Sequence, residues 1–311
     1  MQRLRIGLIG WGTVGAAFGH LVRRGPLPVE LTVVAVRDPS RERVVPLPEG
    51  VTLGPPERAL EGVDAVVELA GGLDGPDRWS RMALARGLPY VTANKALLAT
   101  AGDELAELAT EHEAALLASA SVGGGTPMIE FLAHLAASGE VERLRGVVNA
   151  TTTYILSAMG AGRSYDEALR EAQAAGYAEA DPSFDVEGRD AAQKLAVLGS
   201  VAWGRWRGER QVDASGIVGV EVQPGRVVRL VGEATEALMR VRPVELERDD
   251  ALARTAGIEN LLEVEVREAG TFRISGPGAG GRVTAGAVYA DVARLVAGER
   301  PILFARVEAA A

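Results

Sequence analysis

The stretch RLRIGLIGWGTVG at residues 3–15 sets the fold of the first half of the chain. Residues 3–9 are apolar enough for a buried strand, and they run directly into the spacing G-x-G-x-x-G at Gly10, Gly12 and Gly15. A helical stretch follows, so the amides of Thr13 and Val14 lie at a helix N-terminus, where they can meet a pyrophosphate. The alternative is a tight turn without a ligand. We predict a dinucleotide-binding turn.

The alternation of strands and helices continues to about residue 119. Strands are predicted at residues 31–36, 63–69, 88–92 and 114–119, with helices at 76–86 and 103–113. This order is typical of a Rossmann-type, doubly wound parallel sheet of the α/β class. Such sheets bind ligands beyond the carboxyl ends of their strands, and Gly10, Arg37, Gly71 and Lys95 all fall there.

A glycine-rich hinge at residues 121–127 marks a change of organisation. We expect a dinucleotide-binding domain at residues 1–130 and 283–311, and a second α+β catalytic and dimerisation domain at residues 131–282. In the second domain the sequence predicts a polar corner at residues 151–153. It also predicts helices at 165–175 and 190–203, strands at 143–150, 217–222, 227–230 and 261–267, and, after it, a helix at 284–296. Long apolar strands favour a homodimer.

Lysine is almost absent from this chain: of 33 Lys and Arg residues, only Lys95 and Lys194 are lysines. An amine can be tuned for acid/base work, whereas a guanidinium keeps its proton. Lys194 follows five carboxylates within residues 176–195, and Asp190 precedes it by one helical turn. The alternatives are a surface ion pair for Asp190 and Lys194 and a solvated helix-start lysine for Lys95.

The composition excludes several classes of function. With no cysteine there is no disulfide and no thiolate nucleophile, and a net charge of -9 disfavours nucleic acid and anionic membranes as partners. No apolar run reaches membrane-spanning length, and strand-like sequence begins at Arg3, so we expect a cytoplasmic protein. The remaining chemistry is hydride transfer to a carbonyl, with an ammonium stabilising or protonating the oxygen. Lys194 suits that role, with Asp190 orienting it, and the other carboxylates suit an ammonium-bearing, amino-acid-like substrate.

Seven segments together resemble homoserine dehydrogenases over most of the chain. They are GWGTVG at 10–15, TANK at 92–95, SVGGGTP at 121–127, TTTYIL at 151–156, GYAEADP at 176–182, DVEGRDAAQKL at 185–195 and GPGAGGRVTAGAV at 276–288. The resemblance implies NAD(P)H-dependent interconversion of L-aspartate 4-semialdehyde and L-homoserine. Because residues end at Ala311 after the last segment, we expect a short form without a C-terminal regulatory domain.

The resemblance also implies roles for individual residues. It makes Lys95 and Lys194 the catalytic lysines, without deciding which delivers the proton. It gives Glu179, Asp185 and Asp190 to the substrate, with Thr151 near it, and it brings Gly176 and Gly280 to the cofactor. On the residues alone, the turn at 276–281 is equally well a connecting loop. We expect the site in the cleft between the two domains.

The chain departs from the family pattern at two sites. Ser119 stands where relatives usually carry a glutamate that serves a structural sodium, which leaves the carbonyls of Val122 and Gly124 as a candidate weak site for a monovalent cation. Ala150 and Thr153 replace a glycine and an asparagine beside Thr151.

Cofactor choice depends on the end of the second strand. Arg37, with Arg41 and Arg43 behind it, favours a 2′-phosphate and hence NADP, whereas Asp38 favours the free ribose hydroxyl of NAD. Two other functions stay open: another NAD(P)-dependent oxidoreductase of a small amino-acid carbonyl, and a non-catalytic regulator that binds NAD(P)H.

Overall fold

The computed structural model describes residues 3–304. The chain divides into two compact units: the described residues up to Pro127 with those from Gly280 onward, and Met128–Ala279. The last seven residues of the predicted first domain, 305–311, lie outside the described residues.

The first unit contains a six-stranded parallel sheet in the order β3-β2-β1-β4-β5-β6. This is the strand order of a dinucleotide-binding sheet, with its switch point between β1 and β4, and it confirms the predicted fold class. The strands are β1 (Leu4–Ile9), β2 (Val29–Ala35), β3 (Thr52–Gly54), β4 (Ala65–Glu68), β5 (Tyr90–Thr92) and β6 (Leu116–Leu117). The helices are α1 (Thr13–Arg24), α2 (Asp74–Leu84), α3 (Lys95–Glu111) and, from the end of the chain, α9 (Gly281–Val296).

Helices cover both faces of this sheet, which is why its strands are apolar on both sides. On one face Phe18 of α1 and Val288 of α9 join a buried cluster with Ile6 and Leu8 of β1. On the other face Ile9 joins a second cluster formed largely by α2 and α3. At about 25 cal/mol for each Å² of buried apolar surface, these two clusters supply the main driving force for folding this unit.

The second unit is α+β. Its sheet has the order β12-β11-β7-β9-β10-β8 and is antiparallel except between β10 and β8. The strands are β7 (Val141–Val147), β8 (Asp213–Ala214), β9 (Val227–Ala234), β10 (Met239–Leu246), β11 (Glu259–Val266) and β12 (Gly270–Pro277). The helices are α4 (Met128–Ser138), α5 (Ala150–Gly160), α6 (Tyr165–Ala174), α7 (Ser183–Val186) and α8 (Arg189–Trp203).

Three local predictions were wrong. Residues 151–153 are the first turn of α5 and not a corner, because Asn149 caps a helix there. Residues 217–219 form a bend and turn and residues 220–222 are irregular, so the predicted strand does not form, since Gly219 adopts a φ of 77° that an extended strand cannot use. Helix α3 begins at Lys95, eight residues before the predicted start, and a kink at Ala101 separates the part that the periodicity identified.

Candidate active site

The glycine turn after β1 is built for close approach of a ligand to the backbone. Gly10 has a φ of 103°, and a Cβ on Gly15 would lie 2.1 Å from the carbonyl oxygen of Gly10, so neither position accepts another residue. A Cβ on Gly12 would meet nothing within 4 Å, which leaves open space over the turn. Helix α1 has no side-chain cap and no acid in its first turn, so its amides and positive dipole end suit a phosphate.

The start of α9 lies against the same turn. A Cβ on Gly281 would be 2.5 Å from the methyl carbon of Thr13, and Gly280 has a φ of 128°. The predicted Gly280 is thus beside the first residue of α1, within the first unit. A bulkier side chain at position 281 would push α9 away from the glycine turn.

The loop after β2 carries the arginines predicted to select the cofactor. Arg37 and Arg41 are exposed, and neither they nor Arg43 forms an ion pair with any residue from 3 to 304. The carboxylate of Asp38 accepts bonds from the hydroxyl (2.6 Å) and the amide (3.0 Å) of Ser40, which hold the pKa of Asp38 below its usual value. Arg43 donates to the backbone carbonyl of Asp38, so Asp38 and Arg43 serve their own loop. Arg37 and Arg41 are the guanidinium groups of this loop that remain exposed.

Trp11 fastens this loop to the glycine turn. Its indole N–H donates to the carbonyl of Val45 at 2.8 Å, and its ring fills the space where a Cβ on Gly19 would lie, 2.5 Å from the nearest ring carbon. Trp11 occupies the first variable position of the glycine motif. Local spacing carries no signal for this contact, because the two partners are 34 residues apart.

A fully buried carboxylate, Glu68, lies at the carboxyl end of β4. Its Oε1 accepts the amides of Ala70 (2.7 Å) and Gly71 (2.9 Å), and its Oε2 accepts the hydroxyl of Thr92 (2.7 Å). Burial raises the pKa of Glu68, while the hydrogen bonds from Thr92 and the amides oppose that rise. The predicted Gly71 is thus held through its backbone.

Lys95 is the first residue of α3, and Asn94 fixes that start. The side-chain oxygen of Asn94 caps the helix by accepting the amide of Leu97 at 3.1 Å, and its NH₂ donates to the carbonyl of Gly72 at 2.7 Å. The backbone amide of Asn94 donates to the hydroxyl of Thr92 at 2.9 Å. The position of Lys95 therefore depends on a buried network that joins the loops after β4 and β5.

In the second unit, Lys194 and Asp190 form the ion pair that the i,i+4 spacing predicted. Nζ of Lys194 lies 2.8 Å from Oδ2 of Asp190, and the two side chains are only 13% and 8% exposed. The ammonium also donates to the carbonyl of Val148 at 2.7 Å. A surface ion pair is excluded by this burial. Two of the three N–H groups of Lys194 are used, and the third meets no partner among residues 3–304.

Asn149 connects the carboxylate of Asp185 to the Asp190–Lys194 pair. Its NH₂ donates to Oδ1 of Asp185 at 2.7 Å and to Oδ2 of Asp190 at 2.8 Å, while its oxygen caps α5 through the amide of Thr152. Asn149 was missed by the sequence analysis, although an asparagine directly before a helical turn is an N-cap signal that could have identified it.

Thr151 lies at the other side of Asp185. Its hydroxyl is 2.7 Å from the carbonyl of Tyr177 and 3.0 Å from Oδ2 of Asp185, and its single proton can serve one of them at a time. The structure therefore brings Thr151, Asp185, Asp190 and Lys194 into one network.

Glu179 and Gly176 lie outside that network, in the exposed segment between α6 and α7. Gly176 has a φ of 76° and open space where a side chain would be. The side chain of Glu179 is exposed, and its backbone carbonyl accepts a hydrogen bond from the side-chain amide of Gln173. The carboxylate of Asp181 accepts the amide of Ser183 at 3.1 Å.

Ser119 donates its amide (2.9 Å) and its hydroxyl to the buried carboxylate of Asp291 on α9. Beside it, Val122 and Gly124 are buried, and Gly124 has a φ of 58°. Among residues 3–304, no group of three or more His, Asp and Glu side chains is arranged to hold a metal ion. The sodium site at the Val122 and Gly124 carbonyls stays a prediction.

A doubly wound sheet with an open glycine turn, and a second α+β unit with a buried lysine among carboxylates, define an NAD(P)-dependent oxidoreductase. The comparisons with known proteins narrow this class. The family model described as "Homoserine dehydrogenase" matches residues 127–293, and the one described as "Homoserine dehydrogenase, NAD binding domain" matches residues 10–118. The chain belongs to the homoserine dehydrogenase family.

The sequence similarity to individual relatives extends over nearly the whole chain. The homoserine dehydrogenase of Synechocystis sp. is 38% identical over 94% of this chain and 73% of the relative. That of Pyrococcus horikoshii is 31% identical, over 94% of this chain and 97% of the relative.

Solved structures of the family share the same fold. The crystal structure of a homoserine dehydrogenase from Thiobacillus denitrificans has a TM-score of 0.89 at 33% identity, covering 95% of this chain and 74% of that one. A hyperthermophilic archaeal homoserine dehydrogenase in complex with NADPH has a TM-score of 0.85 at 29% identity, covering 97% of this chain and 100% of that one.

Proposed function

We propose that this protein catalyses the reversible, NAD(P)H-dependent reduction of L-aspartate 4-semialdehyde to L-homoserine. The observation that carries the proposal is the Lys194 ammonium, buried beside Asp190 with one N–H left for a ligand, in a chain of this family. The nicotinamide cofactor, when bound, supplies or receives the hydride.

Lys194 is the proposed donor to the reacting oxygen. Its two fixed contacts, to Asp190 and to the carbonyl of Val148, restrict the direction of the third N–H. As the aldehyde carbon is reduced, its oxygen acquires negative charge, and a preorganised ammonium stabilises that charge more than it stabilises the neutral aldehyde. The same ammonium can then supply the proton of the product hydroxyl. Lys95 is the second proposed catalytic lysine.

Asp185, Glu179 and Thr151 are proposed to hold the amino-acid end of the substrate. The support for Asp185 is that its two side-chain contacts, Asn149 and Thr151, are uncharged donors that orient its carboxylate, which suits it to bind an ammonium group. Glu179 is exposed and its carboxylate is available to a ligand. Asp190 is shared between Lys194 and Asn149, and we assign it to orienting Lys194 at the substrate.

The proposed cofactor-binding residues are those of the glycine turn and of the loops that follow the neighbouring strands. They are Gly10, Gly12, Thr13, Val14, Gly15, Arg37, Gly71 and Lys95, together with Gly176 and Gly280. The open space at Gly12 and the uncapped start of α1 fit a pyrophosphate. The arginines without an acidic partner support a preference for NADP over NAD.

We further propose that the protein is a cytoplasmic homodimer. No helix of residues 3–304 combines the length and apolar character needed to cross a membrane. The support for the dimer is the long sheet of the second unit, whose outer strand β12 pairs on one side only among the strands described.

The proposal is tested by following NADPH absorbance after mixing the purified protein with L-aspartate 4-semialdehyde. We expect oxidation of NADPH by the wild type and its loss in Lys194→Ala, while NADPH still binds to the variant, because Lys194 acts on the reacting oxygen. Glu187→Gln, an exposed carboxylate in the same stretch, is the control and should keep full turnover. NADPH binding without turnover by the wild type would contradict the proposal and favour a binding-only protein.

A further inference from the structure

Glu68 has no role in the function proposed above, yet it is the carboxylate of the first unit that is most completely enclosed by the loops at its ligand-binding edge. Its exposed fraction is 0%. Burying a charge without good partners is expensive, so a carboxylate kept in this place must be satisfied by its surroundings. Every contact of Glu68 described above is a donor: two backbone amides and one hydroxyl.

Those donors belong to two different loops. Ala70 and Gly71 lie in the turn after β4, and Thr92 ends β5, the next strand of the sheet. The turn includes Gly71 and Gly72, with φ values of 68° and 82°, and a Cβ on either would meet nothing within 4 Å. Neither glycine has a side chain that could hold the turn in place by packing. Its conformation is therefore fixed through its backbone, and Glu68 provides two of the bonds.

The network continues from Thr92 to Lys95. The hydroxyl of Thr92 gives its proton to Glu68 and accepts the amide of Asn94, and the side chain of Asn94 caps α3 and returns to the carbonyl of Gly72. One carboxylate thus orders the glycine turn, the hydroxyl between the two loops and the first turn of the helix that begins with Lys95.

We infer that Glu68 is a positioning residue: its carboxylate holds the 70–72 turn and the start of α3, and through them Lys95, in the geometry needed for cofactor binding and turnover. The inference deepens the proposed function and rests on it for the role of Lys95. A glutamine at this position could accept from the two amides but not from the hydroxyl of Thr92 as well, because its amide presents two N–H groups in place of the second oxygen.

The test compares Glu68→Gln with the wild type and with Glu61→Gln, an exposed glutamate of the same unit. Displacing a positioning group by about 1 Å can cost about a hundredfold in rate. We expect the dissociation constant for NADPH to rise and kcat/KM to fall by about tenfold to a hundredfold in Glu68→Gln. Glu61→Gln should match the wild type.

Because the chain has only two lysines, amine-selective labelling followed by mass spectrometry reports on Lys95 directly. We expect the labelling rate of Lys95 to change in Glu68→Gln while that of Lys194, in the other unit, stays as in the wild type. Labelling and NADPH binding do not require turnover. A wild type that fails to reduce the semialdehyde would therefore refute the proposed reaction without affecting this test.

A purely structural Glu68 makes a different prediction: a shifted thermal midpoint, with unchanged Lys95 labelling and unchanged NADPH affinity in the folded variant. That result overturns the inference. If Glu68→Gln does not fold, Thr92→Val removes the hydroxyl that donates to Glu68 and accepts the amide of Asn94, while keeping the side-chain shape. It should change the labelling and the affinity in the same direction, and the inference is wrong if it changes neither.

Discussion

At the scale of single residues, the arginines of this protein differ in whether they form ion pairs. Many of its arginines pair with acids, as Arg145 does with Glu263 (3.0 Å) and Asp250 (2.9 Å). Arg37 and its two neighbours in the loop after β2 pair with no acid in residues 3–304. A guanidinium left in this way at the end of the second strand suits a phosphate group.

Replacing Arg37 with alanine should weaken NADPH binding and leave NADH binding unchanged. A hydrogen bond to a charged group contributes about 1.5 kcal/mol or more, so the dissociation constant for NADPH should rise about tenfold. Titrations of the purified protein with each dinucleotide measure this. Arg58→Ala, which removes a guanidinium already paired with Glu61, is the control. An unchanged preference for NADPH would remove Arg37 from cofactor selection.

Trp11 gives a second prediction about cofactor selection. Trp11→Phe keeps an aromatic ring against Gly19 but removes the N–H that holds the carbonyl of Val45. Because the arginines lie in the loop so released, we expect NADPH affinity to fall about threefold to tenfold, from about 1 kcal/mol for one hydrogen bond, with little change for NADH. Equal losses for both dinucleotides would show instead that the ring supports only the glycine turn.

Glu68 also predicts how stability depends on pH. Burial raises its pKa above the ordinary value of 4.5, so the folded protein retains this proton to higher pH than the unfolded chain does. Its contribution to stability is fully present below pH 4.5 and is lost as pH rises through the folded-state pKa. The free energy of unfolding of the wild type minus that of Glu68→Gln should therefore decrease as pH rises from about 4.5. A difference that is constant or increases with pH contradicts this.

At the scale of secondary-structure elements, the site in the second unit is assembled by the start of α5. The residue that caps this helix, Asn149, also donates to Asp185 in α7 and to Asp190 in α8. The cap is therefore the junction of three helices. The first turn of a helix has backbone amides without partners inside the helix. Polar side chains therefore gather at a helix start that follows a strand.

Asn149→Ala should lower both stability and substrate affinity. Loss of an N-cap costs about 1 kcal/mol, and the two carboxylates would also lose their shared donor. We expect KM for the semialdehyde to rise together with a lower free energy of unfolding in denaturant. Ser164→Ala removes the cap of α6, which lies outside the site network, and should lower stability without changing KM. An unchanged KM in Asn149→Ala would mean that the cap only stabilises the fold.

At the scale of the whole molecule, the sheet of the second unit has the long strand β12 at its edge, and among the described strands β12 pairs only with β11. Strand β12 has eight residues, and Phe272 on it is 37% exposed. Natural proteins rarely leave a long edge strand uncovered, because it pairs readily with another chain. A second copy of this chain is the occupant that the proposed homodimer provides.

Light scattering after gel filtration should give the mass of a dimer for the wild type. Phe272→Arg should shift the protein toward the monomer at low concentration, because a charge would be placed at the exposed strand. Val44→Arg, at a fully exposed position of the first unit, should leave the dimer intact. A monomeric wild type would refute the dimer, and a dimer unaffected by Phe272→Arg would exclude β12 from the interface.

The fold class, the glycine turn, the position of most elements of the first unit and the Asp190–Lys194 pair could all be predicted from the sequence, because each rests on local spacing. Periodicity and the i,i+4 relation are properties of a short segment, and they survive in any tertiary context. The same reasoning failed at two places. At residues 151–153 the cap of Asn149 starts a helix where polar residues predicted a corner, and at residues 217–222 a positive φ at Gly219 prevents the strand that apolar residues predicted.

Which polar groups meet could be seen only in the folded chain. Glu68 and Thr92 are 24 residues apart, and Asn149 and Asp190 are 41 residues apart, yet each pair is in direct contact. Such contacts depend on which strands are neighbours in a sheet and on how helices pack, and neither is encoded in local spacing. The two lysines could be identified from their rarity, but the carboxylate, hydroxyl and amide groups that hold them required the folded chain.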